Sequence, residues 1–199
     1  MVTIVKLNEA DIAVAARKLV VDTPKIYAVL EVESAGSGFL ADGRVRVQYE
    51  PHVMYKRLKE RFSERRAEMA LVMHPTLVAK KAGSYQSGDK EDRDMNEAAK
   101  LIDRQCALES ASWGLFQIMG YHWRFMGYPT LQDFVNAMYR SEADHLDAFC
   151  RFVSKQPAML KMLQLGNWAG FAKIYNGPGY ALNRYDTKLD AAYRKHGGR

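Results

Sequence analysis

Two glutamates, Glu33 and Glu50, have the residue type and placement that could do chemistry. Glu33 ends an apolar helical run, and a glycine-rich break follows it in LEVESAGSGF (30–39). A carboxyl group there loses hydration and faces the negative end of the helix dipole, so we expect its pKa to be raised. Such a group can donate a proton near neutral pH. The plain alternative is an exposed glutamate where the helix frays.

Glu50 ends the second strand of a hairpin that the sequence predicts directly after the Glu33 helix. Asp42-Gly43 is a strong turn signal, and apolar and polar residues alternate from Val45 to Glu50. Arg46 would share a strand face with Glu50 and keep it ionised. Two carboxyl groups with separated pKa values are the requirement for hydrolysis of a glycosidic bond. The alternative is a pair of surface glutamates.

The elements that must position these carboxylates are mostly helices. Thr23 and Pro24 are predicted as N-cap and first-turn residue of the Glu33 helix. Periodicity and breakers predict helices at about 9–21, 23–34, 51–61, 64–73, 92–109, 113–125, 130–154, 156–164, 167–175 and 185–195. Loops are predicted at 83–94, 127–130 and 176–180. The expected fold class is mainly α, of the α+β type: a helical bundle with one small β-hairpin or sheet lobe flanking a groove.

Composition bounds the class of protein. The chain has 199 residues, which suits a single domain over 1–199, and its net charge of +6 favours anionic partners. The two cysteines, Cys106 and Cys150, are predicted to be buried and reduced. Glu9 and Asp11 interrupt the stretch where a secretory leader needs an apolar core, and no apolar run is long enough to span a membrane. We therefore expect synthesis in the cytoplasm, without signal peptide or transmembrane segment.

Two later segments, ESASWGLFQIMGYHW (109–123) and WAGFAKIYNGPGY (168–180), are typical of aromatic core helices and an Asn-Gly turn. Glu142-x-x-His145 matches half of a carboxylate di-metal motif, but no second copy occurs, so a solvated helix face is favoured. The other histidines lack metal-ligand spacing. A basic cluster at 56–66 also indicates a solvated face. No metal or organic cofactor is expected.

Four features in this order resemble the lysozyme superfamily: Glu33-Ser34, the hairpin, the segment from Gly114 to Met119, and Tyr175-Asn176-Gly177. More narrowly, VESAGSGF…YEPH…ALESASWGLFQIMG is similar to the N-acetylmuramidase domain of bacteriophage endolysins that act on Gram-negative hosts. The resemblance spans roughly residues 20–180. Each motif is weak alone, and the combination is fairly specific.

The resemblance implies a lytic enzyme that cleaves the β-1,4 bond between N-acetylmuramic acid and N-acetylglucosamine in peptidoglycan. Glu33 would be the catalytic acid and Glu50 the second carboxylate. The residues it implies for substrate binding are Ser34, Glu109, Ser112, Trp113, Gly114, Phe116, Gln117, Tyr121, Tyr175 and Asn176. Core packing is an equal alternative for Trp113 and Phe116.

Glu109-Ser110 offers a second candidate acid, because a catalytic Glu-Ser precedes the corresponding segment in soluble transglycosylases of the superfamily. Here too few residues separate it from Gly114 to hold a hairpin, whereas Glu33 is followed by a good one. We therefore favour Glu33. Glu109 is then a groove or scaffold residue.

Alternative functions remain open at this stage. A lytic transglycosylase needs one glutamate and leaves a 1,6-anhydro product, and Glu50 favours hydrolysis, for which we expect inversion. A non-catalytic glycan-binding module is a further class, and a nucleic-acid binder lacks any recognised motif. The expected partners are glycan strands and, through positive charge, the anionic bacterial envelope, with the chain as a monomer. An endolysin without a separate wall-binding domain would reach the periplasm through a lesion made by another protein.

Overall fold

The structure, a computed structural model, describes residues 6–34, 36–83 and 90–199, without the side chains of residues 90 and 91. The described part is mainly helical with one small antiparallel sheet. The helices are α1 Glu9–Leu19, α2 Thr23–Glu33, α3 Pro51–Arg61, α4 Glu64–Met73, α5 Lys90–Leu101, α6 Arg104–Glu109, α7 Leu131–Arg140, α8 Glu142–Ser154, α9 Pro157–Leu165, α10 Trp168–Tyr175 and α11 Tyr185–Lys195. The strands are β1 Val47–Tyr49, β2 Ala111–Trp113 and β3 Ile118–Met119. This confirms the expected fold class.

Side-chain caps set the first helices. The Asn8 side chain accepts hydrogen bonds from the backbone of Ala10 and Asp11, and the Asp11 carboxylate accepts one from the Asn8 backbone. Asp22 rather than Thr23 caps α2, because its carboxylate accepts from the Lys25 backbone N–H at 3.1 Å. Thr23 is therefore the first residue of the helix rather than its N-cap, so the helix starts one residue earlier than this cap predicted.

The predicted hairpin turn at Asp42-Gly43 is present. Gly43 has φ +89°, and Leu40 N–H donates to Arg44 O at 2.8 Å. The chain beyond this turn becomes β1, which pairs with β2 in the register Val47↔Trp113 and Tyr49↔Ala111. The strand order is β1-β2-β3, so the sheet joins the hairpin to a segment more than 60 residues later.

That later segment corrects one prediction, because 113–125 is not a helix. It forms β2, a tight loop, β3 and a 3-10 turn at Gly120–His122. Gly114 and Gln117 take positive φ values of 67° and 50° in the loop, a conformation that no α-helix contains.

Two long predicted helices are each divided by a capped break. Asp103 separates α5 from α6 and accepts from Cys106 N–H, and Ser141 separates α7 from α8 and accepts from Asp144 N–H. The loop predicted at 83–94 is wrong at its end, since α5 begins at Lys90. Residues 84–89 lie outside the described residues.

Buried residues from the helices and from the sheet form one hydrophobic core, which includes Leu19, Ile26, Met54, Trp113, Phe134, Phe149 and Phe171. α2 packs against α11 and α1, and α11 packs against α10. Both ends of the chain therefore support the helix that ends in Glu33. None of the helices within the described ranges has the length and apolar character that crossing a membrane requires.

Candidate active site

Glu33 lines a cleft of about 450 Å³. It is the last residue of α2, whose Ile26, Ala28 and Val29 are buried, so the helix is anchored up to its final turn. β3, the loop before it, α8, α10 and α11 also contribute to the lining. Burial raises the pKa of the Glu33 carboxyl, and the Asn176 hydrogen bond and the charge of Lys188 oppose that rise. The structure agrees with the expected direction of the pKa shift.

Asn176 and Tyr175 meet Glu33 from the end of α10. Asn176 Nδ2 donates to Glu33 Oε1 at 2.9 Å, which fixes the orientation of the carboxyl. The Tyr175 ring stacks on Phe171 with its centroid 5.6 Å away, and burial followed by the nearby Glu33 charge raises the pKa of its phenol. Both residues line the cleft, so the structure brings together the late Tyr-Asn pair and the candidate acid.

Glu50 is buried at the N-cap position of α3, directly after β1. Its backbone N–H donates to Ser110 O at 2.9 Å, so the sheet holds its position. Gln48 Nε2 donates to Glu50 Oε1 at 3.2 Å, and His52 Nδ1 lies 3.2 Å from Glu50 Oε2. Arg46, the partner we expected, donates from Nε to Ser37 O at 3.0 Å. Its effect on the ionisation of Glu50 stays a prediction.

One face of the sheet connects the two glutamates. Gln48 and Ser112 are paired across β1 and β2, and Ser112 and Met119 are paired across β2 and β3. Directly opposed residues project from the same face, as do residues two apart on one strand, so Glu50 shares this face with Met119. Met119 lines the Glu33 cleft. The carboxylates therefore flank one surface, although Glu50 is not among the described residues that line the cleft around Glu33.

Gln117 is held rigidly between the cleft and the sheet. Its Oε1 accepts from Ser112 Oγ at 2.8 Å and its Nε2 donates to Gly114 O at 2.8 Å. These two contacts lock the side-chain amide at a left-handed backbone position that also lines the cleft. An amide fixed in this way is suited to orient a sugar substituent.

Comparison with known proteins agrees with this geometry. A family model for N-acetylmuramidases matches residues 22–197. The crystal structure of the Burkholderia AP3 phage endolysin superposes with a TM-score of 0.91 and is 44% identical, covering 96% of this chain and 71% of that one. None of the curated proteins matches the sequence. The chain belongs to the N-acetylmuramidase family. It is a lysozyme-like glycoside hydrolase, and peptidoglycan is its substrate.

Within this muramidase fold, Glu109 is buried and its carboxylate is surrounded by donors, contacts that suit a scaffold residue. The residue is 3% exposed, and its carboxylate accepts four hydrogen bonds or ion-pair contacts. The donors are Trp123 Nε1 and Gln105 Nε2 at 3.0 Å, and Arg57 through Nε at 2.9 Å and Nη2 at 2.8 Å. With its oxygens occupied, Glu109 joins α3, α6 and Trp123, and direct sugar binding by it is not supported.

The aromatic candidates divide between core and surface. Trp113 is 1% exposed, its indole N–H donates to Leu108 O, and Phe134 and Tyr139 meet its ring, so the core-packing alternative holds. Phe116 stacks on Phe149 but also borders the cleft. Tyr121 is exposed, and the Arg57 guanidinium lies 5.9 Å from its ring centroid. Among these rings, Tyr121 has an open surface for stacking on a sugar.

Ser34 borders the cleft, whereas Gly114 lies in the loop before β3 and is not among the described residues that line it. Ser34 is the residue after α2, and its Oγ accepts from Gly36 N–H at 3.3 Å. Gly114 N–H donates to Arg46 O at 2.8 Å, so its backbone connects the loop to the hairpin.

Sequence reasoning missed six residues of the cleft, which are Val32, Ile118, Met119, His122, Phe152 and Tyr185. Burial lowers the pKa of His122, so its imidazole is neutral over more of the pH range. Its ring meets Phe152 with centroids 5.0 Å apart. The one available signal was the position of His122 directly after the GLFQIMGY segment.

Glu142 and His145 are buried, which overturns the expectation of a solvated helix face. Glu142 Oε1 accepts from Gly38 N–H at 2.9 Å and from the Ser37 hydroxyl at 3.2 Å. His145 Nδ1 accepts from Leu115 N–H at 3.2 Å, and Nε2 lies 2.7 Å from Met138 O. The described residues contain no cluster suited to a metal ion. The motif therefore joins α8 to the start of the hairpin and to the cleft loop.

Proposed function

We propose that this muramidase cleaves the β-1,4 bond between N-acetylmuramic acid and N-acetylglucosamine, with Glu33 as general acid and Glu50 as second carboxylate. The observation that carries the proposal is Glu33 itself: a carboxyl with a raised pKa that lines a cleft and accepts a hydrogen bond from Asn176. A raised pKa keeps the carboxyl protonated to a higher pH than in an ordinary glutamate, which favours proton donation to the glycosidic oxygen.

Glu50 supplies the complementary group. Gln48 Nε2 donates to one carboxyl oxygen, which favours an acceptor at this position, and His52 Nδ1 lies 3.2 Å from the other oxygen. In an inverting reaction the carboxylate takes a proton from water as that water attacks the anomeric carbon on the face opposite the leaving oxygen.

We propose that the reaction inverts the anomeric configuration, because the width of the sheet separates the two carboxylates. Glu33 is next to β3 and Glu50 follows β1, with β2 between them. Two strand spacings amount to about 10 Å, and a retaining pair needs its carboxyl groups within about 5–5.5 Å. The wider arrangement leaves room for a water molecule. Proton NMR of the first-formed anomer is the test, and the β product of a β-linked substrate would overturn inversion.

The assignment of the acid is tested with Glu33→Gln, which is nearly isosteric. We expect activity on purified peptidoglycan to fall by about a hundredfold or more, because the general acid is lost. Glu50→Gln should lose hydrolysis as well, while Glu97→Gln, an exposed glutamate on α5, should keep full activity. Full activity of Glu33→Gln would refute the assignment. Glu109→Gln belongs in the set with a urea melt, since loss of its Arg57 pair acts through stability.

A lytic transglycosylase is the second candidate, and one observation favours it. The described lining of the Glu33 cleft contains Glu33 and no further carboxylate. In that reaction the muramic acid hydroxyl attacks in place of water, and the product is lighter by one water molecule. Mass spectra of digested peptidoglycan separate the two: anhydro-muramyl ends, with Glu50→Gln fully active, would replace hydrolysis by this reaction.

The remaining expectations stand as proposals. We propose one catalytic domain, supported by the single hydrophobic core that the described residues share, and a monomer in solution. The site of action is the peptidoglycan layer of the envelope, because that is where the substrate lies. Nucleic acid is not a proposed partner, and the residues that form the cleft require no cofactor for acid catalysis.

A further inference from the structure

The positive charge of the protein is concentrated in one part of the chain, residues 51–83. This segment contains α3 and α4 and has eight Lys or Arg residues against three Glu, a net +5 out of the chain's +6. α3 and α4 pack against each other as a helical hairpin, with Met54, Leu58, Ala67 and Ala70 buried. The charge therefore lies on the outside of a compact unit.

Part of that charge is not neutralised locally. Ion pairs join Lys59 to Glu64 and Lys80 to Glu68, and Arg57 to Glu60. Within the described ranges, Lys56, Arg65 and Lys81 have no acidic partner. Among the described residues, the Arg66 guanidinium has a hydrogen bond to a carbonyl, Ile102 O at 3.5 Å, and no ion pair. These four cations remain available to an anionic partner.

The same helical hairpin exposes apolar side chains that no described residue covers. On α4, Met69, Val72 and Met73 follow the spacing i, i+3, i+4 and lie on one face, opposite buried Ala67 and Ala70. Val72 is 79% exposed and Met73 is 65% exposed.

Two further groups extend this face. Phe62, which follows α3, is also exposed, and the Arg61 guanidinium lies 5.4 Å from its ring centroid. Arg65 lies one turn before Met69 on the same face of α4. Apolar side chains and cations thus occupy one surface, defined by Phe62, Arg65, Arg66, Met69, Val72 and Met73 and called here the α4 face.

We propose that the α4 face docks on an anionic phospholipid membrane. The chemistry matches both parts of the surface: the cations meet lipid phosphates, and the apolar side chains enter the boundary between headgroups and acyl chains. A second copy of the chain is a poorer occupant, because pairing two α4 faces brings together two segments of net charge +5. Nucleic acid would satisfy the cations but would leave Val72 and Met73 in water.

Membrane docking goes beyond the proposed cleavage reaction and does not depend on it. The α4 face contains none of the cleft residues, so its variants should retain activity on purified peptidoglycan. Docking would hold the enzyme at a membrane surface next to the peptidoglycan layer.

The test is sedimentation of the protein with vesicles of phosphatidylglycerol and phosphatidylethanolamine, beside vesicles of phosphatidylcholine alone. We expect binding to the anionic vesicles that weakens as salt rises, and little binding to phosphatidylcholine. Val72→Ser/Met73→Ser should lower the anionic-vesicle partition coefficient by about tenfold or more. The matched control is Leu165→Ser/Leu182→Ser, which changes side chains that are 67% and 90% exposed elsewhere.

A second double variant with its own control tests the contribution of charge. Arg65→Gln/Arg66→Gln should also reduce binding, whereas Lys155→Gln/Lys161→Gln, the same charge change at exposed positions near and on α9, should reduce it much less. Activity on purified peptidoglycan and urea melts confirm that each variant is folded.

Several results would overturn membrane docking. These are no binding of the parent protein to anionic vesicles, equal binding to phosphatidylcholine, or equal effects of the α4-face and control substitutions. Binding to heparin or DNA that survives Val72→Ser/Met73→Ser, without vesicle binding, would identify a polyanion site instead. A dimer by light scattering that Val72→Ser/Met73→Ser dissociates would identify a second copy as the occupant.

Discussion

Glu33 is held between opposing influences on its proton affinity. Partial burial favours the neutral acid, whereas the Asn176 amide and the Lys188 charge favour the carboxylate. Burial dominates, so the acid form persists to a higher pH than in an ordinary glutamate. The geometry thus separates two tasks: α2 supplies the burial, and the end of α10 supplies the orientation.

Removing the Asn176 amide should move the alkaline limb of the pH–activity profile. The hydrogen bond lowers the pKa of Glu33, so Asn176→Ala should raise it further and extend activity to higher pH. A hydrogen bond worth about 0.5–1.5 kcal/mol corresponds to a shift of roughly 0.4–1 pH unit. The measurement is kcat/KM against pH, with exposed Asn136→Ala on α7 as control. A limb that moves to lower pH would contradict this account of Glu33.

The same raised pKa predicts a stability cost for the acid. A carboxyl whose folded-state pKa exceeds its unfolded value favours the fold below the unfolded pKa, near 4.5, and loses that contribution as pH rises to the folded pKa. Glu33→Gln removes the titration, so its free energy of unfolding relative to the parent should increase between pH 4 and pH 8. Urea melts at both pH values are the measurement. The exposed Glu97→Gln control should change little, and a parent protein favoured more at pH 8 would reverse the sign.

At the scale of elements, α8 holds two chain segments, the start of the hairpin and the loop before β3. Glu142 accepts from Gly38 in the hairpin, and His145 accepts from Leu115 in the cleft loop. A Cβ built on Gly38 would lie 2.2 Å from His145 Nδ1, and one on Gly114 would lie 2.8 Å from the same atom. The two glycines therefore allow both segments to approach the imidazole closely. His145 positions the segments that follow Glu33 and precede Gln117.

Gly38→Ala should be destabilising because of His145 and not because of backbone strain, since Gly38 does not have a positive φ. We expect a loss of about 1–3 kcal/mol, the usual cost of overpacking. In a His145→Ala background the same substitution should cost clearly less, because the imidazole is gone. Urea melts of the four proteins measure this coupling. Gly179→Ala, with no atom within 4 Å of the new Cβ, is the control, and an uncoupled pair would refute the contact.

Local signals predicted the helices well and the sheet poorly. Asn8, Asp103 and Ser141 each cap a helix by accepting from a backbone N–H two or three residues later, so the sequence can identify them. Asp103 and Ser141 were overlooked because they lie inside long apolar periodicities. β2 and β3 are three and two residues long, too short for an alternating pattern to be recognised. Their stability comes from pairing with β1, and no local propensity encodes that long-range contact.

The residues of the candidate site were likewise predictable only in part from the sequence. Glu33, Gln117, Tyr175 and Asn176 come together as the resemblance implied. Tyr185 could not be expected there, because it reaches the cleft through the packing of α11 on α2, and His122 reaches it through the 3-10 turn. The positioning role of His145 was also hidden, since its partners are backbone N–H and C=O groups that any sequence has.

At the scale of the molecule, the reactivity of the two thiols measures whether the single core is folded. Cys106 in α6 and Cys150 in α8 are both free and buried, and burial raises the pKa of each thiol, that of Cys150 to about 12. The thiolate is the reactive form, so both groups are protected by exclusion from solvent and by protonation. The cysteines act as core residues, which makes the fold independent of the redox state of its surroundings.

This independence gives a test of the whole fold. In native buffer at pH 8, we expect a thiol-specific disulfide reagent to modify neither cysteine on the time scale of minutes, and to modify both once urea unfolds the chain. Because labelling requires opening of the core, its rate should rise with urea in parallel with the loss of helical circular dichroism. Activity on peptidoglycan should be the same with and without a reductant. Rapid native labelling of Cys150 alone would mean that α8, and with it the Glu142 and His145 contacts that hold the cleft segments, opens separately from the rest of the core.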